Sequence, residues 1–129
     1  MFNINQPFRK IGRVIHRAKY GWNDEDVWDF DNYLAKIIIG GLTRLKKDCH
    51  SCPNEFFHEN EEDECKKWKD VLDLIILGFE AHLKITNMEY FKKYAYGKFY
   101  KDEEELKRLE NQFDEGMNLF KKYFKHLWN

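Results

Sequence analysis

Helical spacing runs through nearly the whole chain and leaves little room for any other secondary structure. Between 102 and 127, Leu106, Leu109, Phe113, Met117, Phe120, Phe124 and Leu127 recur every three or four residues, the period of one helix face. Asp102 and Glu105 make a capping-box-like start, and Lys121, Lys122, Lys125 and His126 gather at the other end. Acid first and base last is the order the helix macrodipole favours. The only prolines are Pro7 and Pro53, and no stretch alternates with period two for long. The expectation is an all-α, single-domain bundle of four to five helices.

The other segments follow the same period. Over 8–20, Phe8, Ile11, Ile15 and Ala18 form an apolar stripe while Arg9, Arg13, His16 and Arg17 point elsewhere. Gly21 is a natural left-handed terminator for this helix, and Gly12 in its middle costs about 1 kcal/mol relative to alanine. Asn23 then reads as an N-cap, with Asp24, Glu25 and Asp26 against the positive end of the next helix. That helix is expected over 24–47, with Val27, Leu34, Ile37, Ile38, Leu42 and Leu45 inward. Gly40 and Gly41 lie on or beside its buried face, which suggests a close helix crossing, with a kink or binding notch as the alternative. Residues 48–63 form a polar, acidic loop. A third helix over 64–84 carries Trp68, Val71, Leu72, Ile75, Ile76 and Phe79 on its apolar face, and a short aromatic helix over 88–96 leads to Gly97.

A chain of 129 residues holds one core and not two. With 43% hydrophobic residues it has enough apolar surface to exclude a disordered protein. The 22 basic residues nearly cancel the 23 acidic ones, so net charge selects no partner, and a sequence-specific DNA reader is not expected. The distribution is uneven: no acid precedes Lys19, whereas 59 to 64 reads Glu-Asn-Glu-Glu-Asp-Glu. No apolar run approaches the roughly 18–20 residues that span a bilayer, and no signal-peptide core is present. A cytoplasmic protein without a membrane partner is therefore expected. Three cysteines argue against a secreted disulfide scaffold, and thiols or metal ligands are expected instead.

Several constellations could carry chemistry. Asp31 falls between Val27 and Leu34 in the apolar stripe, and a buried carboxylate must find a cation or hydrogen bonds. It either fastens the first helix through Arg17, Lys19 or a backbone amide, or shares a ligand pocket with those cations. Arg13, Arg17 and Lys19, with Trp22 and Trp28 to stack on a ring, suit a small phosphorylated ligand, although a solvated basic face is the plainer outcome. Cys49, Cys52, His58 and Cys65 are donors of zinc type, but the second half of the spacing is irregular and incidental cysteines are the better reading. Glu61 with Glu64 and Asp70 with Asp73 are acid pairs that could hold magnesium, yet the gap between them is short for an all-α nucleotide hydrolase. No cofactor motif is present. At the C-terminus, Phe120, Tyr123, Phe124 and Trp128 suit a subunit interface of a homo-oligomer, with core packing as the alternative.

Taken together, the basic stretch Arg13 to Lys19, the run Gly21, Trp22, Asp24, Asp26, Trp28 and Asp31, the apolar helix Tyr33 to Leu45, the His50 and Pro53 turn, Trp68, and the closing Phe120 to Trp128 resemble a family of small, uncharacterised proteins of tailed bacteriophages and prophages. The resemblance implies a bacterial host cell and brings no established activity. It suggests a non-enzymatic, intracellular binding protein that counters host defence. Such a protein sequesters a nucleotide-like anion at Arg13, Arg17, Lys19, Trp22, Trp28 and Asp31, or binds a host defence protein. A magnesium-dependent nucleotide hydrolase is the further alternative.

Overall fold

The computed structural model describes residues 6–49, 51–59, 63, 65–87 and 99–128, with the side chains of Gln6 and of 99–102 left aside. Among the described residues the chain is all-α, with five helices and no strand. They are α1 (Gln6–Tyr20), α2 (Asp24–Trp28), α3 (Phe30–Lys47), α4 (Lys66–Thr86) and α5 (Phe99–Tyr123), with short 3-10 turns at Asn54–Phe56 and Phe124–His126. Two compact units result, Met1–Leu34 and Ala35–Asn129, with α3 supplying residues to both.

The predicted helix over 24–47 is two helices. α2 ends at Trp28, and Asp29 leaves helical geometry at φ −132° and ψ 52°. Val27, Leu34 and Ile37 are exposed, and of the expected stripe only Ile38, Leu42 and Leu45 are buried or packed on the core. Ala35 takes the buried place instead. The C-terminal helix is already under way before Asp102, so Asp102 does not cap it. The expected helix over 88–96 lies outside the described residues.

In the second unit, Trp68, Leu72, Ile75 and Phe79 of α4 present the apolar face read from the sequence. They join Ala35, Leu42, Cys65 and Tyr123 in one buried cluster. Phe56 from the loop meets Trp68 and Tyr123 at centroid distances of 5.6 and 5.3 Å, and those two rings are 5.5 Å apart. Phe79 meets Phe120 edge-on at 5.3 Å. Lys46 Nζ reaches Asp73 Oδ1 at 2.7 Å, linking α3 to α4.

α4 and α5 touch through backbone. A Cβ placed on Gly78 would lie 2.8 Å from Gly116 Cα and 3.0 Å from Gln112 O, and one on Gly116 would lie 2.8 Å from Gly78 Cα. The close crossing is thus at Gly78 and Gly116. Around Gly40 and Gly41, where a crossing was expected, there is open space.

Cys52 and Cys65 are joined as a disulfide, which corrects the expectation of thiols or zinc ligands. Two of the four zinc-type donors are thereby bonded to each other, and no group of three or more His, Cys, Asp or Glu that could hold a metal occurs among the described residues. Closing a loop of this length is worth about 3 kcal/mol in the chain-entropy picture. It ties the Pro53 segment to the start of α4.

Gly78→Ala or Gly116→Ala should each cost about 1–3 kcal/mol through overpacking against backbone that has no rotamer to yield. Gly40→Ala, facing open space, should instead gain about 0.5–1 kcal/mol from helix propensity. Urea denaturation of the three variants checks both signs.

Candidate functional site

The residues singled out near the N-terminus do come together, in the first unit. Gly21, at φ +84°, stops α1 and turns the chain, with its amide donating to Arg17 O at 2.7 Å. Asn23 then caps α2. Its Oδ1 accepts from the Asp26 amide at 3.0 Å, and Asp26 Oδ2 accepts from the Asn23 amide at 2.8 Å. This reciprocal capping box fixes the Asp26 carboxylate at the head of α2.

The basic side of α1 closes onto that head. Arg17 Nε donates to Asp26 Oδ2 at 2.9 Å, and its Nη2 donates to the other carboxylate oxygen. Two parallel bonds of this kind are the strong form of an arginine–carboxylate pair. The Asp26 side chain is 7% exposed, so it depends on these donors. The Arg17 bond holds the Asp26 carboxyl below the ordinary value, with the Asn23 amide helping and burial opposing. The same bond raises the Arg17 guanidinium. Arg13 pairs with Glu25 and lies 5.7 Å over the Trp28 ring. Arg17 also sits 5.6 Å over Tyr33, whose hydroxyl donates to Gly21 O. His16 Nδ1 is 2.6 Å from Trp22 O, and its ring packs against Tyr20 and Trp22.

The buried acid that fastens α1 is therefore Asp26 and not Asp31. Asp31 is exposed, at the uncovered start of α3, where Leu34 of the same stripe is exposed too. Arg17 was the correct partner for the wrong carboxylate. Lys19 lies over Tyr20 and Trp28 is largely exposed. Arg9, Gly12, Arg13, His16, Asn23 and Asp24 line an open groove of about 370 Å³. Of the predicted ligand set this groove takes in Arg13 and leaves out Arg17, Lys19, Trp22, Trp28 and Asp31, adding Arg9 and His16 instead.

While Arg13 and Arg17 turn toward α2, the apolar residues of α1 are left exposed. Phe8, Ile11, Val14 and Ile15 are 72%, 56%, 64% and 60% exposed. Periodicity groups Phe8, Ile11 and Ile15 with Ala18 as an apolar stripe, without Val14 and without saying whether it is buried. The available signal was Asp24–Asp26 beyond a glycine turn, which competes for the basic face of α1.

The remaining candidates are scattered. Asp73 is engaged by Lys46 and Asp70 is exposed, while Glu61 and Glu64 lie outside the described residues. Tyr123 is buried in the core, which removes it from the expected interface. Phe120 packs against the core, and Phe124 and Trp128 remain exposed. No helix of the described residues is long and apolar enough to cross a membrane. No family model, curated protein or solved structure matches the chain.

Asp26 has a depressed carboxyl, so its contribution to stability is present above the unfolded value near 3.8 and is lost as pH falls through the lower folded value. NMR titration should show Asp26 protonating below the ordinary aspartate value, with the first unit loosening as it does. Asn23→Ala should cost about 1 kcal/mol by removing half of the capping box, read from thermal melting at neutral pH.

Proposed function

We propose that this is a non-enzymatic binding protein that docks the apolar ridge of α1 onto another protein. One observation carries the reading: Arg13 and Arg17 of α1 pair with Glu25 and Asp26, while Phe8, Ile11, Val14 and Ile15 stay exposed. An ordinary surface helix does the opposite, hiding the apolar stripe and solvating the charges. Covering such a side chain gains about 1.5–3 kcal/mol relative to water. Contiguous exposed apolar surface of this kind marks interaction sites. The spacing of Phe8, Ile11 and Ile15, one per turn along one side, is that of a helix laid into a groove. The resemblance to small phage proteins adds a bacterial cell as the setting and a host defence protein as the partner class.

Sequestration of a phosphorylated nucleotide is the weaker reading. It has the groove beside Arg9, Arg13 and His16 in its favour. Against it, Arg13 and Arg17 are already paired with carboxylates, so a phosphate would have to displace Glu25 or Asp26 to be gripped bidentately.

The test compares wild type with Ile11→Asp, which leaves every ion pair of the first unit in place. Circular dichroism should show unchanged helix content. Affinity for the protein that wild type captures from bacterial cells should fall by at least about 30-fold, the loss typical of a hot-spot residue. Unchanged capture by Ile11→Asp would sink the proposal. So would calorimetric binding of a phosphorylated nucleotide that disappears in Arg13→Ala.

A further inference from the structure

We propose that Cys49, Cys52 and Cys65 form a thiol–disulfide relay, in which the crosslink passes between Cys52–Cys65 and Cys49–Cys52. The inference is independent of how α1 docks. Cys52 and Cys65 are bonded, with Cα atoms 5.8 Å apart, and Cys49 is the remaining free thiol. All three belong to one neighbourhood. Cys65 is part of the buried cluster, and Cys49 and Cys52 pack against it. Cys49 precedes Cys52 by three residues, a C-x-x-C spacing, and its Sγ lies 3.0 Å from Ser51 O in the connecting segment.

The two bonded sulfurs differ in access. Cys65 is 6% exposed, enclosed with Trp68 and Leu72. Cys52 is only half-buried and lines a small cleft of about 80 Å³ with Ser51, Pro53, His126 and Trp128. Exchange proceeds by attack of a thiolate on one sulfur while the other leaves. The accessible sulfur is Cys52, which makes Cys65 the leaving group. Lys69, one turn along α4 from Cys65, is held mainly by Asp63 at 2.8 Å. It also lies near enough to Cys49 for their charges to interact, so a thiolate here has a cation at hand.

The step balances without an external reagent. Cys49 gives its thiol proton to water, and its thiolate attacks Cys52 Sγ. The Cys49–Cys52 bond forms as the Cys52–Cys65 bond breaks, and the departing Cys65 thiolate takes up a proton. Nothing is oxidised or reduced overall. The crosslinked span shrinks from a separation of 13 residues to one of three. The Pro53 segment is thereby untied from the start of α4, while Phe56 keeps its place on Trp68 and Tyr123. The relay is thus a device for loosening that segment.

The experiment uses the full oxidised chain, held without oxygen at about pH 8, where thiols begin to ionise. It is then quenched in acid and its linkages are mapped by acid-stable proteolysis and mass spectrometry. Wild type should yield both Cys52–Cys65 and Cys49–Cys52 peptides, and Cys49→Ser should lose the second. Recovery of Cys52–Cys65 alone from wild type overturns the relay. As a separate check on reach, Cys65→Ser treated with oxidised glutathione should close Cys49–Cys52 within one chain. Two surviving thiols in that variant would also overturn it.

Discussion

Backbone contact between α4 and α5 at Gly78 and Gly116 is the constraint on which the second unit rests. Two helices can meet this closely only where both lack a Cβ, and the meeting point sets which side chains face each other along the rest of their length. Next to Gly78, Phe79 reaches Phe113 and Phe120, one turn either side of Gly116, edge-on, a geometry that aromatic pairs favour. Further toward the start of α4, Trp68 meets Tyr123. The apolar stripes of the two helices supply the burial energy, but the glycines decide their register.

The same logic separates what could be read from the sequence from what could not. The period of α4 was legible because Trp68, Leu72, Ile75 and Phe79 form an unambiguous stripe, and all four are buried. The Gly21 stop and the Asn23 cap were legible because positive φ and an exposed amide end each demand a particular residue type. The glycine pair was not, since Gly78 and Gly116 are separated by two turns of argument that one chain cannot supply: which helices touch, and at what height. Gly40 and Gly41 are the more conspicuous glycines, and they face open space. The break at Asp29 was also hidden, because no proline or glycine marks it.

The candidate site was half legible for a related reason. Arg13 lies over Trp28 and Arg17 meets Asp26, since one tight turn folds α1 back beside α2. Their role was misread, because hydrophobic periodicity says that a helix has an apolar side without saying which side it buries. In α1, the electrostatic demand of the α2 head outweighs the stripe. Asp26 is nearly enclosed and needs Arg17, and a helix cannot satisfy that need while also turning its opposite face to the same neighbour. Cysteine pairing was equally out of reach, because spacing along the chain does not reveal that Cys52 and Cys65 stand on either side of the same core edge.

The burial of Trp68 has a practical corollary. Of the four tryptophans, Trp22, Trp28 and Trp128 are exposed while Trp68 is 1% exposed. It packs against Phe56 and meets Tyr123 edge-on in a triangle of three rings, and it stands within one turn of a disulfide sulfur. The chain therefore contains its own optical probe, with a blue-shifted emitter in the second unit against red-shifted emitters elsewhere. The state of the crosslinked loop and the integrity of the core can be followed by intrinsic fluorescence, without attaching a label.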